Sequence, residues 1–222
     1  WDKLMPQAAY WATYCGYKIR QPQLTLRHVY LALKDTAREV CLLQYLAETY
    51  KLEKDTARYV QTLCEGFEKF PTSPFFFPHL ISYYGQENAY EKALETCNRA
   101  LQVDSTNRIF RFAKGSLLLT MGRYQESLDI NKALIADNDT LPDVYLNAGL
   151  ALFNQAIELD KNVQVSQKAR NRILDFYRKA LPYLEKYRAL APQQKEKWAL
   201  PLYTIYLNLN MGKQFDEIDK LL

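Results

Sequence analysis

The feature that most constrains this chain is a column pattern that recurs every 34 residues along its 222-residue length. Counting on from Tyr50 reaches Tyr84, Leu118 and Leu152, and counting from Ala47 reaches Ile81, Gly115 and Gly149. The first column stays large and apolar, and the second is mostly small. A third column runs Leu43, Phe77, Arg111 and Tyr145, with the arginine out of pattern. A unit of this length cannot bury its own apolar face, so it must stack on its neighbours. The windows 40–73, 74–107 and 108–141 therefore follow one another without a gap.

The second window reads most clearly. Phe77, Leu80 and Tyr84 share one helical face, and Tyr90, Ala93, Leu94, Cys97, Ala100 and Leu101 share another. Gly85 to Asn88 supplies a turn between them, and Asp104 to Asn107 supplies residues that cap the next helix. In the third window Met121 and Gly122 make the turn, and a residue is missing before Ala133 and Leu134. These columns resemble the tetratricopeptide repeat, whose pattern places a bulky residue, a Leu-Gly pair, a Tyr and then Ala, an apolar residue, Ala and Pro at matching offsets. Small residues belong where two helices cross closely, which fits Gly115, Gly149, Ala93 and Ala100.

The resemblance implies an all-α fold, a right-handed superhelical solenoid of about five to six antiparallel helix pairs. Its parts divide as a divergent pair over 1–39, repeats over 40–73, 74–107 and 108–141, an expanded repeat over 142–194, and a closing pair over 195–222. In the fourth part Tyr145, Ala148, Gly149 and Leu152 start in register. Tyr177, Ala180, Leu184, Tyr187 and Pro192 resume it 19 residues late, with the join near Asp160 to Val163. Pro182 is expected to kink or break the second of these longer helices. The closing pair spans Trp198 to Asn210 and Lys213 to Leu222. Near the start, Val29, Ala32 and Leu33 hold register, and Gln21 to Gln23 forms the turn.

Composition excludes more than it selects. Only 7 glycines and 9 prolines interrupt a chain rich in helix formers, and 17 tyrosines suit thin helical layers with wet edges. The net charge of +4 is interspersed, so no nucleic-acid role follows from it. The basic stretch from Lys161 to Lys197 reads as a solvated helix or as an anion-facing surface. No apolar run reaches the ~20 residues a membrane span needs.

Catalytic groups do not converge. His28 and His79 stand alone, the glycines build no phosphate loop, and Asp216, Glu217 and Asp219 mark a solvated face. Cys15, Cys41, Cys64 and Cys97 are widely spaced within apolar patterns and read as buried thiols. No catalytic, metal or cofactor site is expected.

By the same resemblance, the concave groove is lined by Gln44, Glu48, Phe75, Ser82, Gln86, Ile109, Phe112, Ser116, Leu119, Leu150 and Asn154. Phe75 either grips a partner there or packs against the adjacent unit. Gln44, Glu48 and Ser82 replace the Lys, Asn and Arg that clamp chaperone tails in other repeats of this type. The expected function is a non-enzymatic scaffold binding a peptide segment or partner subunit in that groove. The rival is a structural spacer, or an accessory module of a larger cell-envelope protein such as one serving carbohydrate uptake, or of an enzyme whose active part lies elsewhere. The expanded fourth unit also resembles tetratricopeptide proteins of Bacteroides-type bacteria, which favours the periplasm or cell envelope.

Overall fold

The computed structural model describes residues 4–137, 140–162 and 166–221, and among them regular structure is helical throughout. Two compact units divide the chain, residues 1–104 and 105–222. The first holds α1 (Leu4–Lys18), α2 (Pro22–Ala32), a short 3-10 turn (Thr36–Arg38), α3 (Glu39–Leu52), α4 (Thr56–Lys69), α5 (Phe76–Gln86) and α6 (Tyr90–Val103). The second holds α7 (Arg108–Thr120), α8 (Tyr124–Ala136), α9 (Pro142–Asn162), α10 (Gln167–Leu190), α11 (Lys195–Asn208) and α12 (Gly212–Asp219). Within each unit every helix packs on the next in sequence, which is the contact pattern of stacked hairpins.

The hairpin turns carry the repeat as faithfully as the core does. Arg20, Lys54, Asn88 and Gly122 all adopt positive φ, each 34 residues after the last, and Asn210 does so again between α11 and α12. Each closes a Schellman motif. The amide one position later donates to the carbonyl five residues back, as in Gln21 to Gly16, Asp55 to Tyr50, Ala89 to Tyr84 and Arg123 to Leu118, at 2.8–2.9 Å. The left-handed residue is thus Asn88, and Gly85 stays inside α5. The first turn likewise centres on Arg20, with Pro22 opening α2, where a proline costs the helix no hydrogen bond.

Helix starts follow ordinary capping chemistry. Asp55, Asn107 and Ser166 each accept from backbone amides of the first turn, Asn107 from Ile109 at 3.0 Å.

Close crossings fall on small residues. A Cβ on Gly149 would meet Leu184 at 2.7 Å, and one on Gly115 would meet Asn131 at 2.9 Å. Gly66 makes the tightest approach, since its absent Cβ would fall 2.2 Å from the Phe76 ring. Phe76 and Phe77 both enter the core, because the position over Gly66 accepts a whole ring while Phe77 packs beside Phe67.

Several expectations change. No residue is missing in α8: Leu134 is fully buried one period after Ala100. Arg111 fills a core column because its guanidinium reaches Asp137 at 2.6 Å. Only Cys97 is buried, while Cys15 and Cys41 are exposed and Cys64 is half-buried against the Tyr84 hydroxyl. Helix α10 runs through Pro182 unbroken, and that proline lies on the exposed side of the helix, away from its buried face. The 19-residue insertion lengthens α9 and α10, and of the expected join, Val163 lies outside the described residues.

Candidate functional site

In the first unit, α1 and α3 are the leading helices of consecutive hairpins, and their shared face is built from rings. On α1, residues 10, 14 and 17 lie on one side of the helix because i, i+4 and i+7 positions line up. All three are tyrosines, with Trp11 beside them. Tyr10 and Trp11 meet edge to face at 5.2 Å, and Trp11 and Tyr14 do the same at 5.9 Å. Tyr45 of α3 completes the set, 5.9 Å from Tyr14 and stacked on Tyr17 at 4.5 Å. The indole of Trp11 remains 52% exposed. Large rings are ordinarily drawn into cores, so an exposed group of this kind marks a surface suited to contact.

Hydrogen bonds and cations fix the rings in place. The Tyr17 hydroxyl donates to Glu48 at 2.7 Å, and that bond, with burial second, raises its pKa above the usual 10. Burial, followed by the neighbouring Tyr10, raises that of Tyr45. Both hydroxyls therefore stay protonated at neutral pH and remain donors. Lys18 lies over the Tyr14 and Tyr17 rings at 5.5 and 5.7 Å, and Arg38 lies over Tyr10 at 4.5 Å.

Beside Tyr17 the wall opens into a cleft of about 520 Å³. Lys18, Arg20 and Lys51 rim it, Glu48 and Tyr59 stand inside, and His79 of α5 borders it. The Nδ1 of His79 bonds the Phe75 carbonyl at 2.7 Å, and its ring lies 4.2 Å from that of Phe75. Burial, then the charge of Glu48, raises the Tyr59 pKa.

Of the expected groove residues, Glu48 lines this cleft and Gln44 sits half-buried on α3, while Phe75 is half-buried against His79. Ser82 and Gln86 are exposed on α5. In the second unit Ile109 is exposed and Phe112 and Asn154 are half-buried. Ser116 accepts from Asn147 at 2.8 Å, and Leu119 and Leu150 pack partly into the core around Leu152, Tyr177 and Leu184. Sequence reasoning missed Tyr10, Trp11, Tyr14, Tyr17 and Tyr45. One more step of 34 back from Gln44 and Glu48 would have reached Tyr10 and Tyr14.

No group of three or more potential metal-ligating side chains occurs among the described residues, and none of their helices is long and apolar enough to cross a membrane.

No protein-family model and no curated protein matches the sequence. Solved structures do resemble the fold. MamA of AMB-1 aligns with a TM-score of 0.57 at 16% identity, over 86% of this chain and 93% of its own. MamA residues 41-end from Desulfovibrio magneticus RS-1 align at 0.59 with 14% identity, over 82% and 94%. PilW, described as a widely conserved type IV pilus biogenesis factor, aligns at 0.54 with 16% identity, over 100% and 91%. These are helical-repeat structures of the tetratricopeptide type, and the all-α repeat fold of the present chain is of that class.

Proposed function

We propose that this chain is a non-enzymatic protein-binding scaffold, and that the ring-lined wall of α1 and α3 receives a peptide segment or subunit of its partner. The observation that carries the reading is the exposed Trp11 held edge to face between Tyr10 and Tyr14, in a row of rings that Tyr17 and Tyr45 continue. Rings ordered before binding lose little entropy on contact, which is why tryptophan and tyrosine dominate binding hot spots. Micromolar affinity requires about 8 kcal/mol net, within reach of a few such anchors. Gln44, Glu48, Phe75, Ser82 and Gln86 extend the contact in the first unit. Ile109, Phe112, Ser116, Leu119, Leu150 and Asn154 make up a second contact region in the other. The helical-repeat neighbours, one a pilus biogenesis factor, support a role in assembling proteins and an envelope location.

The test is affinity capture from cells of the source with the wild-type chain, Trp11→Ala and Trp11→Ala/Tyr45→Ala, each checked for helical content and melting temperature. Partner recovery is expected to fall at least about tenfold in affinity, roughly 1.4 kcal/mol, for the exposed Trp11→Ala alone. A partner retained at wild-type strength by both folded variants would refute the assignment.

A further inference from the structure

The cleft beside the ring wall has a charge that its own residues leave uncompensated. Lys18, Arg20 and Lys51 rim it, and none has a carboxylate within ion-pair distance among the described residues. Against them stands Glu48, whose carboxylate already accepts the Tyr17 hydroxyl. Surface cations usually scatter or pair, so three gathered around one concavity with a single opposing charge leave it net positive. Its 520 Å³ is ample room for a carboxylate side chain together with adjoining residues of an extended segment.

We infer that the cleft takes an aspartate or glutamate side chain of the bound partner, from an extended segment whose adjoining aromatic, aliphatic or proline residue lies on the Trp11–Tyr14–Tyr45 wall. The assignment rests on the protein-binding reading above and adds the partner's chemistry. Tyr17 belongs to both surfaces, so a peptide crossing from one to the other needs no detour. Arginine on the rim suits a carboxylate because its planar fork matches both oxygens.

A single-stranded nucleic acid is the competing ligand for rings mixed with cations. The geometry opposes it. Tyr17 and Tyr45 stack on each other at 4.5 Å, which leaves no slot for a base between them, and Lys18 covers a face of Tyr14 and of Tyr17.

The experiment is selection from a random twelve-residue peptide library on the immobilised 222-residue chain. Selected peptides are then titrated against wild type, Arg20→Gln/Lys51→Gln and Tyr14→Ala/Tyr45→Ala, and a fluorescent oligo-dT strand is titrated in parallel. Peptides enriched in Asp or Glu within about three residues of an aromatic, aliphatic or proline residue are expected. Their affinity should fall at least about tenfold in Arg20→Gln/Lys51→Gln, and similarly when Asp and Glu are replaced by Asn and Gln. It should weaken with salt as exposed charge pairs do. Peptides that need Tyr14 and Tyr45 yet carry no acidic residue would overturn the carboxylate assignment and leave the protein-binding reading standing. Selected peptides indifferent to the Tyr14→Ala/Tyr45→Ala change, or no selected peptide at all, would overturn both. Oligo-dT binding tighter than any selected peptide would also overturn it. Both variants alter residues outside the fully buried core, and their melting curves guard against loss of fold.

Discussion

Replacing Gly66 by alanine tests the packing that positions α4 against α5. The new methyl would fall 2.2, 2.4 and 2.5 Å from three carbons of the Phe76 ring, which is wholly buried. Carbon atoms settle at about 3.5–4.0 Å, so the mismatch exceeds roughly 1 Å. The ring has no exit to solvent, and either it leaves its rotamer or the two helices part. Overpacking of that kind costs about 1–3 kcal/mol, and the upper end applies to a ring with no free volume beside it. Alanine returns about 1 kcal/mol of helix propensity. The net is a destabilisation of about 2 kcal/mol, or ~4–8 °C in melting temperature for a chain of this size. Gly85→Ala is the control, since the same added methyl meets nothing within 4 Å and should stabilise by about 0.5–1 kcal/mol. Urea titration followed by helical circular dichroism reads both. If Gly66→Ala proves neutral or stabilising, the close approach of the Phe76 ring is wrong, and with it the α4–α5 crossing.

Three further expectations concern turns, tyrosines and a buried bond. Lys54→Gly should stabilise by about 0.5–1 kcal/mol and Gly122→Ala should destabilise by about 1 kcal/mol in the same titration, because both positions require positive φ; equal effects would contradict the turn geometry. Tyr50, Tyr84 and Tyr206 are each pushed up to about 12, first by burial and then by bonds to Tyr30, Cys64 and Glu185. A raised folded-state pKa favours the protonated form, so their stabilisation is complete below about 10 and lost as pH rises toward 12. Tyrosinate absorbance should show a late phase near pH 12 accompanied by loss of helix, and a single phase near 10 with the helices intact would be the contrary result. Ser127→Ala removes a buried 2.7 Å bond to the Gly115 carbonyl and should cost about 1–2 kcal/mol by denaturant titration, whereas no change would mean the bond adds nothing.

What the sequence disclosed and what it withheld separate along physical lines. Hairpins were legible because apolar columns recur: Leu80, Ala93 and Ala100 are buried where a two-helix unit requires it. The turns at Gly122 and within Gly85 to Asn88 were legible too, but the turn centres at Arg20 and Lys54 were not, because those residues carry no sequence signal for positive φ. The Schellman bonds and the packed helices on either side set it. Arg111 broke its column only until its distant partner Asp137 was seen. Of the proposed binding surface, Gln44 and Glu48 were named through the family resemblance. The rings of α1 were lost because the core columns fade before residue 40, although the surface columns persist to Tyr10 and Tyr14.

Hydroxyl-radical footprinting of the chain with its captured partner bears most directly on the ring wall. Trp11 and Tyr30 are comparably exposed in the free chain, at 52% and 59%, and stand on different helices. Binding is predicted to shield Trp11 and Tyr14 from oxidation and to leave Tyr30 unchanged. Shielding of Tyr30 with Trp11 still oxidised at its free rate would place the partner elsewhere and contradict the account.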